Sequence, residues 1–168
     1  IVFDERNQQA IIEDTGRGIP LGKIIEIYTS ERMSSNYHKK AGDSYTSGTH
    51  GVGSGVALAL SKYFSVSSYV LGKAHQVQFD SGIPRNDIEE KIPCPEGRQG
   101  TTVIMTPDLD IMGNVNLTCK EVFDMVFKIF TLINIGDRID FIGIDSKGNK
   151  CIEEEMINKD GIVTDLIV

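Results

Sequence analysis

The sequence has few cysteines and no long hydrophobic segment. Its three cysteines, Cys94, Cys119 and Cys151, are far apart, odd in number and without a CxxC pair. This pattern excludes a framework of disulfide bonds and predicts reduced thiols, as in a cytoplasmic protein. No apolar run approaches the roughly 20 residues that span a bilayer, and no segment resembles a signal peptide.

The sequence also lacks an excess of basic residues. It has 24 acidic and 17 basic residues, which give a formal net charge of −7. A surface that binds duplex DNA is usually basic, because neutralising phosphates is the main source of affinity. The segment is therefore not expected to carry the main contacts to DNA, whereas a nucleotide pocket needs only a few local groups.

The length of 168 residues suits one compact domain with a sizeable core. There is no starting methionine, and residues 1–3 begin as if already inside a strand. The chain stops abruptly on the apolar residues 166–168. Both ends lead us to expect a piece of a longer protein.

Apolar periodicity and turn residues predict a mixed α/β protein with mostly hairpin-linked strands. The predicted strands are residues 1–3, 8–13, 64–71, 74–80, 100–107, 138–144 and 150–153. Helices are predicted from Pro20, over 56–60 and, clearly amphipathic, over 118–134. Residues 81–98 are predicted to form a loop, and the polar segment 30–49 is long enough to favour a lid or binding loop. This order predicts an α/β two-layer sandwich, with a mixed, mostly antiparallel sheet and helices on one face.

The first segment that indicates chemistry is Asp14-x-Gly16-x-Gly18, directly after a predicted strand. The two glycines allow the backbone to approach a ligand closely. A carboxylate in such a place can accept a hydrogen bond from an exocyclic amine, as on adenine. The pattern alone is equally compatible with a plain turn.

The second segment comprises Gly48, Thr49, His50, Gly51, Val52 and Gly53 and leads into a predicted helix. Backbone N–H groups at a helix N-terminus, with the positive end of its dipole, can bind an anion. The segment is not a Walker loop, because no GxxxxGK[ST] occurs. No Rossmann fingerprint occurs in a βαβ setting either.

Taken in order, four segments resemble the ATP-binding (GHKL, or Bergerat-type) domain shared by gyrases, heat-shock chaperones, histidine kinases and mismatch-repair proteins: EDTGRGIP, SSNY, SGTHGVG and GTTVIMTPD. GRGIP followed by GTHGVG resembles type IIA DNA topoisomerases in particular. MSSNY is closer to eukaryotic and some viral topoisomerases II than to gyrases. GDRIDFIGIDSKGN and KDGIVTDLI resemble the end of that domain and the start of the next, so we expect the ATP-binding domain over residues 1–160 and the transducer from 161 to 168.

The resemblance implies roles for the first glycine segment. Asp14 matches the aspartate that binds the adenine amine, supported by Thr101 and a bridging water. Gly16 belongs to the same loop, and Gly18 lets the base lie against the backbone. Ile19 and Pro20 would line the purine pocket. Arg17 matches an arginine that braces the pocket through a carboxylate.

The resemblance also assigns residues to the rest of the nucleotide. Ser34, Ser35 and Asn36 match residues that contact ribose and phosphate, although a simple turn or helix cap remains an alternative. Residues 48–53 would surround the triphosphate through backbone amides, with His50 acting through its main chain and not as a general base. The segment between Arg32 and Thr49 would be the ATP lid. Lys39 and Lys40 there could contact phosphate, but a solvated pair of loop residues is the favoured interpretation.

The family's catalytic residues have no counterpart in this sequence. Its water-activating glutamate and Mg²⁺-binding asparagine lie on a helix that would precede Ile1, and its transducer lysine would follow Val168. Hydrolysis needs a positioned base and metal-held phosphates. We therefore expect ATP and Mg²⁺ as cofactors of the parent protein, no catalytic or metal-binding residue in this chain, and no significant ATPase activity from it alone.

The function implied is the ATP-binding part of a type IIA topoisomerase, in which ATP binding and hydrolysis close a dimeric gate and drive DNA strand passage. The expected partners are a second copy, contacted through segments outside this chain, DNA, and a breakage-reunion subunit or domain. The alternative is a non-catalytic adenine-nucleotide-binding module or a degenerate paralogue. A mismatch-repair or chaperone relative is disfavoured, because those proteins carry a different sequence in place of HGVG.

Overall fold

The computed structural model describes residues 1–29, 53–114, 116–130 and 135–159. Within them the chain forms these strands and helices, in chain order: β1 (Val2–Asp4), β2 (Gln9–Glu13), α1 (Ile24–Thr29), α2 (Gly53–Ala59), β3 (Ser61–Val70), β4 (Lys73–Asp80), β5 (Ile83–Pro84), β6 (Glu90–Ile92), β7 (Gly100–Pro107), α3 (Leu109–Met112), α4 (Cys119–Phe130), β8 (Arg138–Ile144) and β9 (Lys150–Ile157). None of these helices is long and apolar enough to cross a membrane. The described residues divide into a larger unit, residues 9–29 and 53–114, and a smaller unit, residues 1–8, 116–130 and 135–159.

The larger unit contains an antiparallel sheet in the order β5-β4-β3-β7-β2, and β6 also pairs with β4. A two-residue turn joins β3 to β4, since Val70 pairs with Lys73. Both turn residues, Leu71 and Gly72, have positive φ angles, of 51° and 73°. Such a turn matches the twist of the strands and fixes their register. The register places Ser68 of β3 opposite Thr101 of β7, at the end of the sheet where β2 finishes.

The core of the larger unit lies where α1 and α2 cover the sheet. Its buried members are Ile24, Leu58, Phe64, Val66, Val77 and Phe79. Tyr28 of α1 lies with its ring centroid 5.4 Å from that of Phe64 and 6.4 Å from that of Phe79. These three rings, called the aromatic core below, are tilted or edge-on to one another, the arrangement that aromatic pairs prefer.

The smaller unit has β8 between a parallel β1 and an antiparallel β9, with α4 packed against these strands. The start of α4 is a capping box, because Thr118 and Glu121 bond reciprocally to each other's backbone N–H groups. Phe123 of α4 packs edge-on against the buried Phe141 of β8, with ring centroids 5.4 Å apart. All three cysteines of the chain are free thiols.

The structure confirms the expected fold class, a mixed α/β protein whose strands pair mostly antiparallel. Several boundaries differ from the sequence prediction. Residues 81–98, predicted to be a loop, contain β5 and β6 on the edge of the sheet. The helix predicted from Pro20 begins at Ile24, because Gly22 has a φ of 79° and interrupts the helical conformation. Helix α2 begins at Gly53 and not at residue 56, and α3 was not predicted.

Candidate adenine-nucleotide site

The loop of residues 14–20 connects β2 to the segment before α1. Asp14 continues the pairing of β2 with β7, since its N–H donates to the carbonyl of Thr101 at 2.9 Å. Its side chain is exposed, and Oδ1 accepts a hydrogen bond from the N–H of Gly16 at 2.8 Å. A β-carbon on Gly16 would lie 2.8 Å from the same oxygen. The loop therefore fixes its own carboxylate, and a side chain at position 16 would displace it.

Gly18 is a glycine for two independent reasons. Its φ of 71° lies in the left-handed region that side chains disfavour. A β-carbon there would also lie 2.6 Å from Val70 Cγ2 and 2.9 Å from the carbonyl oxygen of Tyr69. The loop thus lies directly against the end of β3, which explains the glycine without reference to a ligand.

Ser68 of β3 holds the loop at Ile19. Its hydroxyl accepts a hydrogen bond from the Ile19 N–H at 2.7 Å and donates to the Ile19 carbonyl at 2.9 Å. Ser68 is completely buried, and Ile19 packs against the core. One side chain thus pairs both backbone groups of a residue outside the sheet, as a neighbouring strand would.

Glu89 holds the chain where α1 begins. Its carboxylate accepts hydrogen bonds from the N–H of Gly22 at 2.8 Å and the N–H of Ile24 at 2.7 Å. A carboxylate there also interacts favourably with the positive end of the helix dipole. The Glu89 side chain is only 4% exposed, and its Oε2 lies 3.3 Å from Nε2 of the buried His75, without hydrogen-bond geometry.

Arg98 holds the other end of the loop, because its Nη1 donates to the carbonyl oxygen of Asp14 at 2.9 Å. Ser68, Glu89 and Arg98 together are called the polar frame below. The strands also approach each other very closely here, since a β-carbon on Gly100 would lie 2.0 Å from the Asp14 carbonyl oxygen. Only glycine, with its φ of 109°, fits at this start of β7.

The electrostatic effect of Asp14 extends to the aromatic core. Burial of the ring, and secondarily the negative charge of Asp14, raises the pKa of Tyr28 from 10.0 to about 12. The loop thus presents an oriented, exposed hydrogen-bond acceptor beside the buried Thr101, and Ile19 of the same loop packs against the apolar core. This arrangement can accept a hydrogen bond from an amino group on a flat, partly apolar ligand.

The structure brings together part of the set that the sequence predicts. Asp14 and Thr101 lie side by side, joined through their backbones, and Gly18 and Ile19 follow in the same loop. Arg17 and Pro20 are exposed on this loop, and their roles remain predictions. Predicted site residues outside the described residues are Ser34, Ser35, Asn36, Gly48, Thr49, His50, Gly51 and Val52, and the lid segment lies there too. Gly53 is described and begins α2.

Sequence reasoning missed the whole polar frame. The only available signal for Ser68 was the presence of four serines, at 61, 65, 67 and 68, in a strand otherwise rich in aromatic residues and valine. Glu89 and Arg98 lie in the segment predicted to be a loop, where charged residues carry no structural signal. Within the described ranges, no group of three or more His, Cys, Asp or Glu side chains is placed to hold a metal ion.

Sequence comparison finds relatives among bacterial topoisomerases, and no family model matches the chain. The B subunit of DNA gyrase from Thermus thermophilus is 33% identical over 66% of this chain and 19% of its own length. The gyrase B protein of Metamycoplasma hominis is 31% identical over 92% of this chain and 28% of its own length. The B subunit of DNA topoisomerase 4 from Mycoplasma capricolum is 28% identical over 96% of this chain and 25% of its own length. The chain thus spans less than a third of each of these relatives.

Structure comparison agrees with the sequence comparison. The 43K ATPase domain of Thermus thermophilus gyrase B, solved in complex with an aminocoumarin, superposes with a TM-score of 0.70. The match covers 95% of this chain and 40% of that one, at 25% sequence identity. The similarity therefore extends over nearly all of the chain.

Proposed function

The chain is a homologue of the B subunits of DNA gyrase and DNA topoisomerase 4, with the fold of the gyrase B ATPase domain, and from that premise we propose that it binds the adenine end of ATP through Asp14. The observation that supports this most directly is the geometry of the Asp14 carboxylate. It is exposed, oriented by the Gly16 N–H, and held beside Thr101 at the end of the sheet. Such an acceptor suits the exocyclic amine of adenine.

The neighbouring residues complete the proposed base pocket. Thr101 supports Asp14 through a bridging water, Gly18 allows the base to approach the backbone, and Ile19 and Pro20 line the pocket. Ile19 supports this role because it packs against the core while Ser68 holds its backbone. Arg17 braces the pocket.

The remainder of the nucleotide is proposed to contact residues outside the described ranges, together with Gly53 at the start of α2. Ser34, Ser35 and Asn36 contact ribose and phosphate, and residues 48–53 bind the triphosphate through their amides. ATP is proposed to bind together with Mg²⁺.

For the whole protein, we propose that ATP turnover closes a dimeric gate and drives DNA strand passage in the cytoplasm. The proposed partners are DNA and a breakage-reunion subunit or domain, and the family relationship supports this proposal. No residue of this chain is assigned the role of the water-activating glutamate, and we propose that the chain alone has no significant ATPase activity. A non-catalytic adenine-nucleotide-binding module is the alternative, and ATP hydrolysis by the whole protein would exclude it.

Calorimetric titration of the 168-residue chain with a non-hydrolysable ATP analogue and Mg²⁺ tests the binding proposal. We expect saturable binding that Asp14→Asn weakens about 10- to 100-fold, the contribution of a hydrogen bond to a charged group. Phosphate release from ATP by the same sample should not exceed background.

The matched control is Asp124→Asn, the same chemical change on α4 of the smaller unit. It should bind like the wild type. A folded wild-type sample that does not bind, or equal losses in the two variants, would contradict the assignment of Asp14.

A further inference from the structure

Arg98 joins the backbones of the two strands that meet at the site. Its Nη1 donates to the carbonyl oxygen of Asp14 at 2.9 Å and to that of Gln99 at 2.6 Å. Its Nη2 donates to Thr102 Oγ1 at 3.0 Å and, more weakly, to the carbonyl of Thr101 at 3.4 Å. One planar guanidinium group thus bonds to the end of β2 and the start of β7.

The surroundings of Arg98 hold the guanidinium itself in place. Its central carbon lies 4.7 Å from the ring centroid of Tyr69 in β3, a favourable contact between a cation and an aromatic face. Thr102 Oγ1, which accepts from Arg98, in turn donates to Glu13 Oε1 at 3.1 Å. The Arg98 side chain is 20% exposed, so these contacts are partly shielded from water. Three strands therefore determine where the guanidinium lies.

The close contact between Gly100 and the Asp14 backbone could not form if residue 100 had a side chain. The start of β7 approaches the Asp14 carbonyl so closely that only glycine is accommodated at position 100. The Asp14 carbonyl oxygen therefore lies against Gly100, and it accepts a hydrogen bond from Arg98. A second donor bonds to the Asp14 side chain, since Gly16 N–H fixes Oδ1. Backbone and carboxylate of Asp14 are thus oriented by separate groups.

We propose that Arg98 is a positioning residue for base recognition, which acts by holding the Asp14 backbone so that the carboxylate meets the adenine amine. This inference rests on the proposed function. A recognition group must be held within about 0.5 Å of its productive position to form its hydrogen bond fully. Loss of Arg98 should therefore weaken the part of the affinity that depends on the amine, while contacts to the sugar and phosphates remain.

A purely structural role for Arg98 predicts a different result. In that case loss of Arg98 would lower the fraction of folded protein, and the apparent affinity for every nucleotide would fall equally. Inosine triphosphate separates the two roles, because it carries a carbonyl where ATP carries the amine. The ratio of the ATP and inosine triphosphate dissociation constants therefore reports on base recognition alone.

The experiment is calorimetric titration of the 168-residue chain with ATP and with inosine triphosphate, in the presence of Mg²⁺. The wild type should prefer ATP by about tenfold or more, the contribution of one such hydrogen bond. Arg98→Met should lose most of this preference while its affinity for inosine triphosphate changes less than about twofold. Arg98→Lys, which keeps the charge but not the planar fork, should lose less of it.

Arg85→Met is the matched control. Like Arg98, Arg85 lies over a tyrosine ring, 5.3 Å from the centroid of Tyr63, and its guanidinium group is held by hydrogen bonds, in this case to the carboxylate of Asp80. It lies at the opposite end of β3 and β4 from Tyr69. Arg85→Met should therefore keep the wild-type preference for ATP.

Each outcome decides the proposal. Folded Arg98→Met with the wild-type preference would overturn it, and if that variant does not fold, an unchanged preference in Arg98→Lys would do so. A wild type that binds both nucleotides equally would overturn the proposed function of Asp14 and the role of Arg98 together. A wild type that prefers ATP, with a preference lost only on changing Arg98, would support both.

Discussion

The aromatic core and the polar frame hold consecutive parts of one segment of the chain by different forces. Helix α1 is held mainly by burial, since Ile24 is completely buried and Tyr28 packs on Phe64 and Phe79; Glu89 adds a hydrogen bond only at its first residue. The loop of residues 14–20 just before it is largely exposed and is held by hydrogen bonds from the polar frame. Burial is non-directional, whereas a hydrogen bond fixes particular atoms at particular angles.

This difference follows from what each part has to do. A ligand-binding loop must remain accessible, so it cannot be fixed by burying its own side chains. Its backbone can still be fixed by buried side chains that reach it from the sheet, as Ser68 does. We therefore expect changes in the aromatic core to alter the free energy of unfolding, and changes in the polar frame to alter nucleotide recognition more than stability.

The largest effect is expected from Phe79→Ala. Phe79 is completely buried, with its ring centroid 6.2 Å from that of Phe64. Removing such a ring leaves a cavity and should lower the free energy of unfolding by about 3–5 kcal/mol, measured by urea denaturation. Phe79→Leu, which refills much of the space, should lose less. A changed preference for ATP over inosine triphosphate in the folded variant would contradict the division between core and frame.

An intermediate loss of stability is expected at high pH, because of the ionisation of Tyr28. Its pKa is raised to about 12, chiefly by burial, so the folded state keeps a proton that the unfolded state releases near pH 10. Between these values the folded state binds more protons, so the free energy of unfolding should fall with rising pH, by roughly 3 kcal/mol in all. Below pH 10 this contribution is fully present.

Denaturation of Tyr28→Phe across the same pH range measures the contribution of Tyr28. The variant has no phenolic proton, so its loss of stability between pH 10 and 12 should be smaller than that of the wild type. Tyr63→Phe, outside the aromatic core, is the matched control. Asp14→Asn should change the loss only slightly, because burial is the larger cause of the shift. A large effect of Asp14→Asn would mean that the loop and the core are coupled more strongly than proposed.

The part of the fold that depends on local pattern was predictable from the sequence. The β3–β4 hairpin and the amphipathic α4 follow from alternation, turn residues and helical periodicity. The short strands β5 and β6 were not predictable, because they form only by pairing with the edge of β4. The proximity of Asp14 and Thr101 was expected only from the family resemblance; in the structure a backbone hydrogen bond joins the two residues.

The polar frame was not predictable because its contacts join residues far apart in sequence. Arg98 is 84 positions from Asp14, Glu89 is 65 from Ile24, and Ser68 is 49 from Ile19. No local sequence pattern distinguishes a strand serine that forms such a long-range hydrogen bond from one that does not. Ser65 and Ser68 lie on the same strand and are both buried, yet only Ser68 bonds to the loop.

The smallest changes in stability are expected from replacing these two serines with alanine. The pair also gives the most direct comparison, because both residues lie on the same strand. Ser68→Ala removes both bonds to the Ile19 backbone and should lower the free energy of unfolding by about 1–2 kcal/mol, with a weaker affinity for ATP. Among the described residues the hydroxyl of Ser65 has no hydrogen-bond partner, so Ser65→Ala should leave stability unchanged or raise it. The two variants differ only in position on one strand, and urea denaturation with calorimetry measures both quantities. Equal losses of stability would mean that Ser68 stabilises the protein through packing and not through its hydrogen bonds. An unchanged ATP affinity in Ser68→Ala would mean that the hydrogen bonds to the loop do not contribute to nucleotide recognition.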